Sequence, residues 1–283
     1  GKSIPWNVWL SPLFFWSIFF LILHFVMICM MVILRKQWVE KERLTYPLII
    51  LPIEMVKEDR SAIPPFFRNK LMWLGFSIPF VIGTWNAISV FSPILPTIHF
   101  ACFYNIFRRT TTLWIGVNFI VIGISYFLNL DVALSLWLFR ILNRMESGFM
   151  NITGFSLPGG HEVYFGSSEA VGYQSAGAMI LMVAFILWIA RSHLKDVFGK
   201  AFFLRKDVND SNEIISYRVS VFGLLIGLSA LYIWFCWCGI SPFASFILLL
   251  YVFVLFLGIT RIIVQGGTGF ARPIGAPLSL IHI

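Results

Sequence analysis

One carboxylate stands apart from the rest. Of the 13 acidic residues, only Asp131 lies inside a long apolar stretch; the others fall in polar segments or at the ends of apolar runs. A charge at the centre of a bilayer costs at least about 2.5–3.5 kcal/mol on insertion scales. Such a side chain faces a polar cavity, pairs with a base, or takes up a proton, which suits binding of a cation or a substrate. The plainer alternative is that Asp131 caps a helix beginning at Val132. Arg140 is nine residues further on, about two and a half helical turns away, so the two do not share a face. Its long side chain suits snorkelling to an interface.

Other polar residues in or beside apolar runs extend the candidate set. Asn129 precedes Asp131, and Asn118 and Asn86 are amides in largely apolar surroundings. For the amides, hydrogen bonding between helices competes with a binding role. Gln265, Gly266 and Gly267 follow an apolar run directly. Glycines there allow a helix to unwind and expose backbone groups to a ligand; a plain exit loop is the alternative. The loop 154–174 carries His161, Glu162 and Glu169, which could form a gate or an external catalytic loop, or belong to a simple linker. His161-Glu162 lacks the second histidine that a zinc protease places four positions on. His24 lies mid-run and reads as a packing residue. Cys236-x-Cys238 has no second pair and no nearby histidine. The sequence therefore predicts no metal and no cofactor.

The elements that must position these groups are apolar helices. Hydrophobic residues make up 59% of the 283 positions and charged ones 12%, against roughly 25% charged in soluble domains. No charged residue occurs in 3–34, 71–107, 110–130, 170–190 or 219–260. A bilayer core needs about 20 apolar residues per helix, so each run can hold a span and the last can hold two. The predicted fold class is all-α, a polytopic transmembrane helix bundle with a broken or re-entrant helix.

The net charge of +8 does not form a nucleic-acid-binding stripe: 8 of the 21 basic residues lie in 35–70 and six more in 191–218. Short basic segments beside spans belong in the cytoplasm by the positive-inside rule. The expected partners are the lipid bilayer and a small-molecule substrate, with no nucleic acid; the sequence does not specify an oligomer.

Predicted spans cover 8–34, 71–91, 175–190, 219–238 and 243–260, with a third long segment at 113–142. Residues 44–56 are apolar but short, and Pro47 and Pro52 are expected to break them. Asp207 to Asn212 reads as a solvated turn cluster. If both basic segments share a side, an even number of passes separates them. The spans 71–91 and 175–190 supply two, so 113–142 must dip and return, or a neighbouring segment must make another pass. Gly223-x-x-x-Gly227 matches a small-residue helix contact. The organisation expected is a helical transmembrane domain over 1–276, a piece of a longer protein since it opens on Gly1, and a non-native tail over 277–283. That tail ends in Leu-Ser-Leu-Ile-His-Ile, which resembles a translated sequencing adapter.

Four stretches carry a family resemblance: Leu34 to Pro47 with Leu51-Pro-Ile-Glu-Met55, Ile124 to Trp137, Ala170 to Gly177, and Arg261 to Gly267. Together they resemble a family of uncharacterised bacterial polytopic membrane proteins that is distantly similar to oligopeptide transporters. The resemblance covers most of 8–269. It implies a transporter-like fold and a bacterial cytoplasmic membrane, and says nothing about the substrate. Asn129 stands where the family often has proline, and Gln265 where an acidic residue often stands. The resemblance therefore implies neither a sharp kink at 129 nor proton coupling at 265. The favoured function is a secondary-transporter-like permease rather than an enzyme. The alternatives are a membrane-embedded enzyme for a lipid-linked substrate, using His161, Glu162 and Glu169, and a non-catalytic scaffold.

Overall fold

The computed structural model describes residues 6–57, 64–92, 94–154, 169–203, 205 and 209–267. Helices dominate, as expected: α1 (Trp6–Lys36), α2 (Pro47–Val56), α3 (Pro65–Arg68), α4 (Lys70–Phe91), α5 (Phe119–Ser125), α6 (Leu130–Thr153), α7 (Glu169–Ile189), α8 (Arg191–Phe203), α9 (Tyr217–Trp237) and α10 (Pro242–Gly266). Strands β1 (Ala101–Ile106) and β2 (Thr111–Gly116) form one antiparallel hairpin. Five helical stretches among the described residues are long and apolar enough to cross a bilayer: Val8–Lys41, Lys70–Phe91, Gly172–Ile189, Tyr217–Trp237 and Pro242–Gly266. With that many spans the protein is an integral membrane protein.

The chain divides into two compact units. Among the described residues the first comprises those of 6–44 and 175–259. Here α1 packs along α9 in the opposite sense. Phe15, in the first half of α1, meets Trp237 at the end of α9 with ring centroids 5.4 Å apart, while Arg35 near the end of α1 bonds Glu213 just before α9 begins. Gly223 and Gly227 let the backbones approach. A Cβ at Gly223 would stand 2.8 Å from Phe25 Cζ, and one at Gly227 would run into Val26. The small-residue motif is therefore a helix contact within the chain. Gly258 of α10 does the same against Met179 and Val183 of α7. The short connection 238–241 folds α10 back beside α9, and Cys236 Sγ lies 3.7 Å from Ser245 Oγ.

Polar pairs close one end of this unit. Arg35 grips Glu213 with two hydrogen bonds, Nε–Oε2 at 2.6 Å and Nη2–Oε1 at 2.9 Å. Tyr217 donates its hydroxyl to the same carboxylate. Lys200 pairs with Asp210 at 2.6 Å, and buried His193 Nε2 lies 2.9 Å from the Ile33 carbonyl. The segment 191–218 is thus more than a basic loop. It contains α8, and Asp210 is tied to Lys200 and to the Tyr217 amide rather than simply solvated.

The second unit comprises the described residues of 45–174 and 260–267. The predicted long segment 113–142 is not one helix. Its first residues belong to β2, and the helical part breaks over 126–129 between α5 and α6. Asn118 caps α5, its Oδ1 accepting from Ile120 N at 2.9 Å and Val121 N at 3.3 Å. Pro47 does not break a helix but begins α2 at its first turn, where its missing N–H costs nothing, and Pro52 is carried inside.

Contacts at the two ends of this unit fix the sense of α6. Phe127, in the break, shares a cavity with Asn69, which caps α4. At the other end Asn86 of α4 bonds Ile98 through both its amide groups, just before β1. The hairpin tip in turn meets the far end of α6, where Asn151 Nδ2 donates to Thr111 Oγ1 at 3.1 Å. So α4 and α6 run the same way, and the chain returns between them through 117–127. Of the described helices between the two basic segments, Lys70–Phe91 and Gly172–Ile189 contain stretches long and apolar enough to cross a bilayer. The predicted break in 113–142 is present, between α5 and α6.

Candidate functional site

The sequence-predicted residues of the second unit fall into two places. The first is the junction where α10 ends. Gly266 and Gly267 are buried. Gly267 has φ +53°, a left-handed conformation that glycine adopts without strain. A Cβ there would stand 2.8 Å from both Ile124 Cγ2 and Pro47 Cβ. The break after α10 is thus packed against α5 and the start of α2. Gln265, the residue before, is half-buried.

The second place is the α5–α6 break. Asn129 occupies the cap position of α6 without a side-chain capping bond. Asp131 lies in the first turn, so the helix begins at Leu130 and not at Val132. A carboxylate there is favoured by the partial positive charge of the helix start. Asp131 is exposed in this structure, and its backbone carbonyl accepts from Ser135 Oγ at 2.7 Å. The residue that the break directs into a concavity is Phe127 rather than Asp131. It lines a cavity of about 280 Å³ with Ile50, Leu51, Glu54, Pro65, Phe66 and Asn69. Glu54 supplies its carboxylate and holds Lys57 Nζ at 3.3 Å.

The structure therefore brings Gly267 to α5 and the start of α2, and the break to α2 and α3. It does not place Asp131 with either set of contacts. Asn118 serves α5 as a cap, and Asn86 secures the chain before the hairpin. His24 Nδ1 bonds the Phe20 carbonyl one turn back at 2.7 Å, but the residue is exposed, so the hydrogen bond expected of it is present and the packing is not. His161 and Glu162 lie outside the described residues, as does the tail 277–283. Glu169 begins α7. No group of three or more His, Cys, Asp or Glu able to hold a metal occurs among the described residues.

Glu54 was missed by sequence reasoning because it sits in a charged, proline-interrupted segment. Its one signal was its place in Leu51-Pro-Ile-Glu-Met55, among the stretches that carry the family resemblance. Arg144, on α6, was also missed; its Nε is enclosed with no hydrogen-bond partner among the described residues.

The fold and this junction define a polytopic helical integral membrane protein with a discontinuous helix. Within that class, the chain belongs to a family of unknown function (DUF6785), whose model matches residues 1–282. No curated protein and no solved structure matches the chain significantly.

Proposed function

We propose that the protein is a secondary-transporter-like permease of a bacterial cytoplasmic membrane, moving a small-molecule substrate. The observation that carries this reading is the discontinuous α5–α6 helix meeting a second helix end at the contact of Ile124 with Gly267. Non-helical backbone at membrane depth is tolerated only where protein or water surrounds it, and transporters use such breaks to line substrate sites. The cavity beside the break, with the carboxylate of Glu54 and the amide of Asn69, offers polar groups next to apolar walls, as small-molecule sites do. By the positive-inside rule, the basic segments 35–70 and 191–218 favour a cytoplasmic side for α2 and α3. The distant similarity of the resembled family to oligopeptide transporters points the same way.

In this reading Asp131, Asn129, Gln265, Gly266 and Gly267 belong to the substrate or ion path, with Asp131 as its charged member. The test is uptake by the full-length protein in proteoliposomes, using radiolabelled di- and tripeptides as the first probes with an imposed proton gradient. Asp131→Asn is expected to insert and fold normally yet lose uptake. Wild-type uptake in that variant would leave Asp131 as a favourable charge at a helix start and nothing more.

A further inference from the structure

We propose that Arg140 and Arg144 of α6, with Arg108 and Arg109 at the hairpin tip, form a binding site for a phosphate oxyanion. The inference does not depend on the transport reading. Arg140, Arg144, Ser147 and Asn151 recur at intervals of four, three and four residues, so they share one face of α6. That face meets the hairpin: Asn151 Nδ2 donates to the Thr110 carbonyl at 3.2 Å, and Phe107 packs on Gly148 where any side chain would collide. Arg144 lies one turn before Gly148, and Arg108 follows Phe107 directly. Arg144 and the two tip arginines are thus brought toward the same end of α6, and Arg140 stands one turn before Arg144 on the same face.

None of the four has an ion pair among the described residues, and the carboxylates of α6 lie elsewhere. Glu146 is two residues from Arg144, on the opposite side, where it faces the Gln174 amide. Asp131 is at the other end of the helix. Two like charges one turn apart repel, and a buried donor without an acceptor is rare enough to call for a partner. Among the described residues Arg144 Nε is such a donor. The tip adds a second, independent oddity. Phe107, Arg108 and Arg109 have φ of 52°, 57° and 65°, three successive non-glycine residues in the left-handed region. Strain of this kind persists only where surrounding contacts impose it, and it clusters at ligand sites. Here the imposed conformation projects two exposed arginines from the tip.

The ligand chemistry follows from the donors. Guanidinium groups are fixed forks that match phosphate oxygens in pairs, and one phosphate can accept from more than one fork. The phosphate can come from an anionic lipid headgroup or from a soluble phosphate. Aromatic residues exposed on the strands, Phe103, Tyr104 and Trp114, are of the kind found at a membrane interface.

The experiment uses the full-length protein in nanodiscs, read by thermal unfolding. One arm compares discs of phosphatidylcholine alone with discs containing phosphatidylglycerol. The other adds inorganic phosphate to the phosphatidylcholine discs, with sodium chloride of equal ionic strength as control. We expect a rise of several degrees in at least one arm; the arm that responds identifies the source of the phosphate. The rise should vanish in Arg140→Gln/Arg144→Gln, shrink in Arg108→Gln/Arg109→Gln, and survive in part in Arg144→Lys. Should the α6 double variant fail to fold, the exposed tip variant alone decides. No rise beyond the chloride control, or a rise unchanged in the Gln variants, would overturn the site.

Discussion

The two compact units treat charge and backbone in opposite ways. In the first, Arg35, Glu213, Lys200 and Asp210 are paired, and glycines zip α1 to α9 and α10 to α7. In the second, a helix breaks, a hairpin tip holds three left-handed residues, and four arginines lack ion-pair partners among the described residues. Satisfied contacts make a scaffold; groups left strained or unsatisfied are where ligands find something to do. The comparison assigns support to the first unit and the candidate site to the second.

The largest effect expected from breaking the scaffold comes from Arg35→Met. Glu213 has a side chain only 2% exposed and would keep its charge without its bidentate partner. Loss of one member of a buried pair costs about 3–5 kcal/mol, and the partial exposure of Arg35 puts this case near the low end. Thermal unfolding of purified protein measures it; a cost below about 1 kcal/mol would mean the pair is a surface contact. Next comes Gly227→Val, which drives a branched side chain into Val26. Overpacking of this kind costs typically about 1–3 kcal/mol, and a neutral result would deny the close α1–α9 approach.

Acid sharpens the same contrast. Burial holds the His193 imidazole below its ordinary range, with the Ile33 hydrogen bond offsetting only part of that. The unfolded chain therefore takes up a proton near pH 6.5 that the folded chain refuses. Stability is full above that pH and falls as the pH drops from there toward the folded value. Asp210 is held low chiefly by the Lys200 hydrogen bond. Burial alone would raise Glu213, but the hydrogen bonds and charge of Arg35 outweigh it and leave it low. Both carboxylates contribute stability above about pH 4, and lose it as the pH falls through their depressed folded values. Unfolding followed from pH 8 to pH 3 should show two declines, and His193→Gln should abolish the first. The smallest effect belongs to Asn118→Ala, which removes the cap of the seven-residue α5. Such a loss is worth about 0.5–2 kcal/mol; no change in stability would show that packing alone holds α5.

Much of the scaffold was legible in the sequence. Charge-free runs near 20 residues announce spans whatever their neighbours do, and the Gly223–Gly227 spacing announced a contact that the structure supplies. The site was less legible. Asp131 drew attention because it is alone in the sequence, yet isolation along a chain does not fix which way a side chain faces. Glu54 and Arg144 meet their surroundings through segments distant in sequence, as do Arg35 and Glu213. The hairpin was hidden for another reason. Residues 101–106 and 111–116 are apolar and aromatic on both faces, so they lack the alternation that marks a strand. Parity of the basic segments asked for a dip or a further pass near 113–142, and cysteine labelling decides whether the chain reversal before α6 supplies one.

That reversal is also what the account most depends on. In cells expressing the full-length protein without its native cysteines, single cysteines would replace Lys41, Arg109, Tyr126 and Lys200. An impermeant maleimide applied from outside should label Arg109→Cys alone. In inverted vesicles it should label Lys41→Cys, Tyr126→Cys and Lys200→Cys. Labelling of Tyr126→Cys and Arg109→Cys from the same side would contradict the return of the chain between α4 and α6, and with it the discontinuous helix as a site within the membrane.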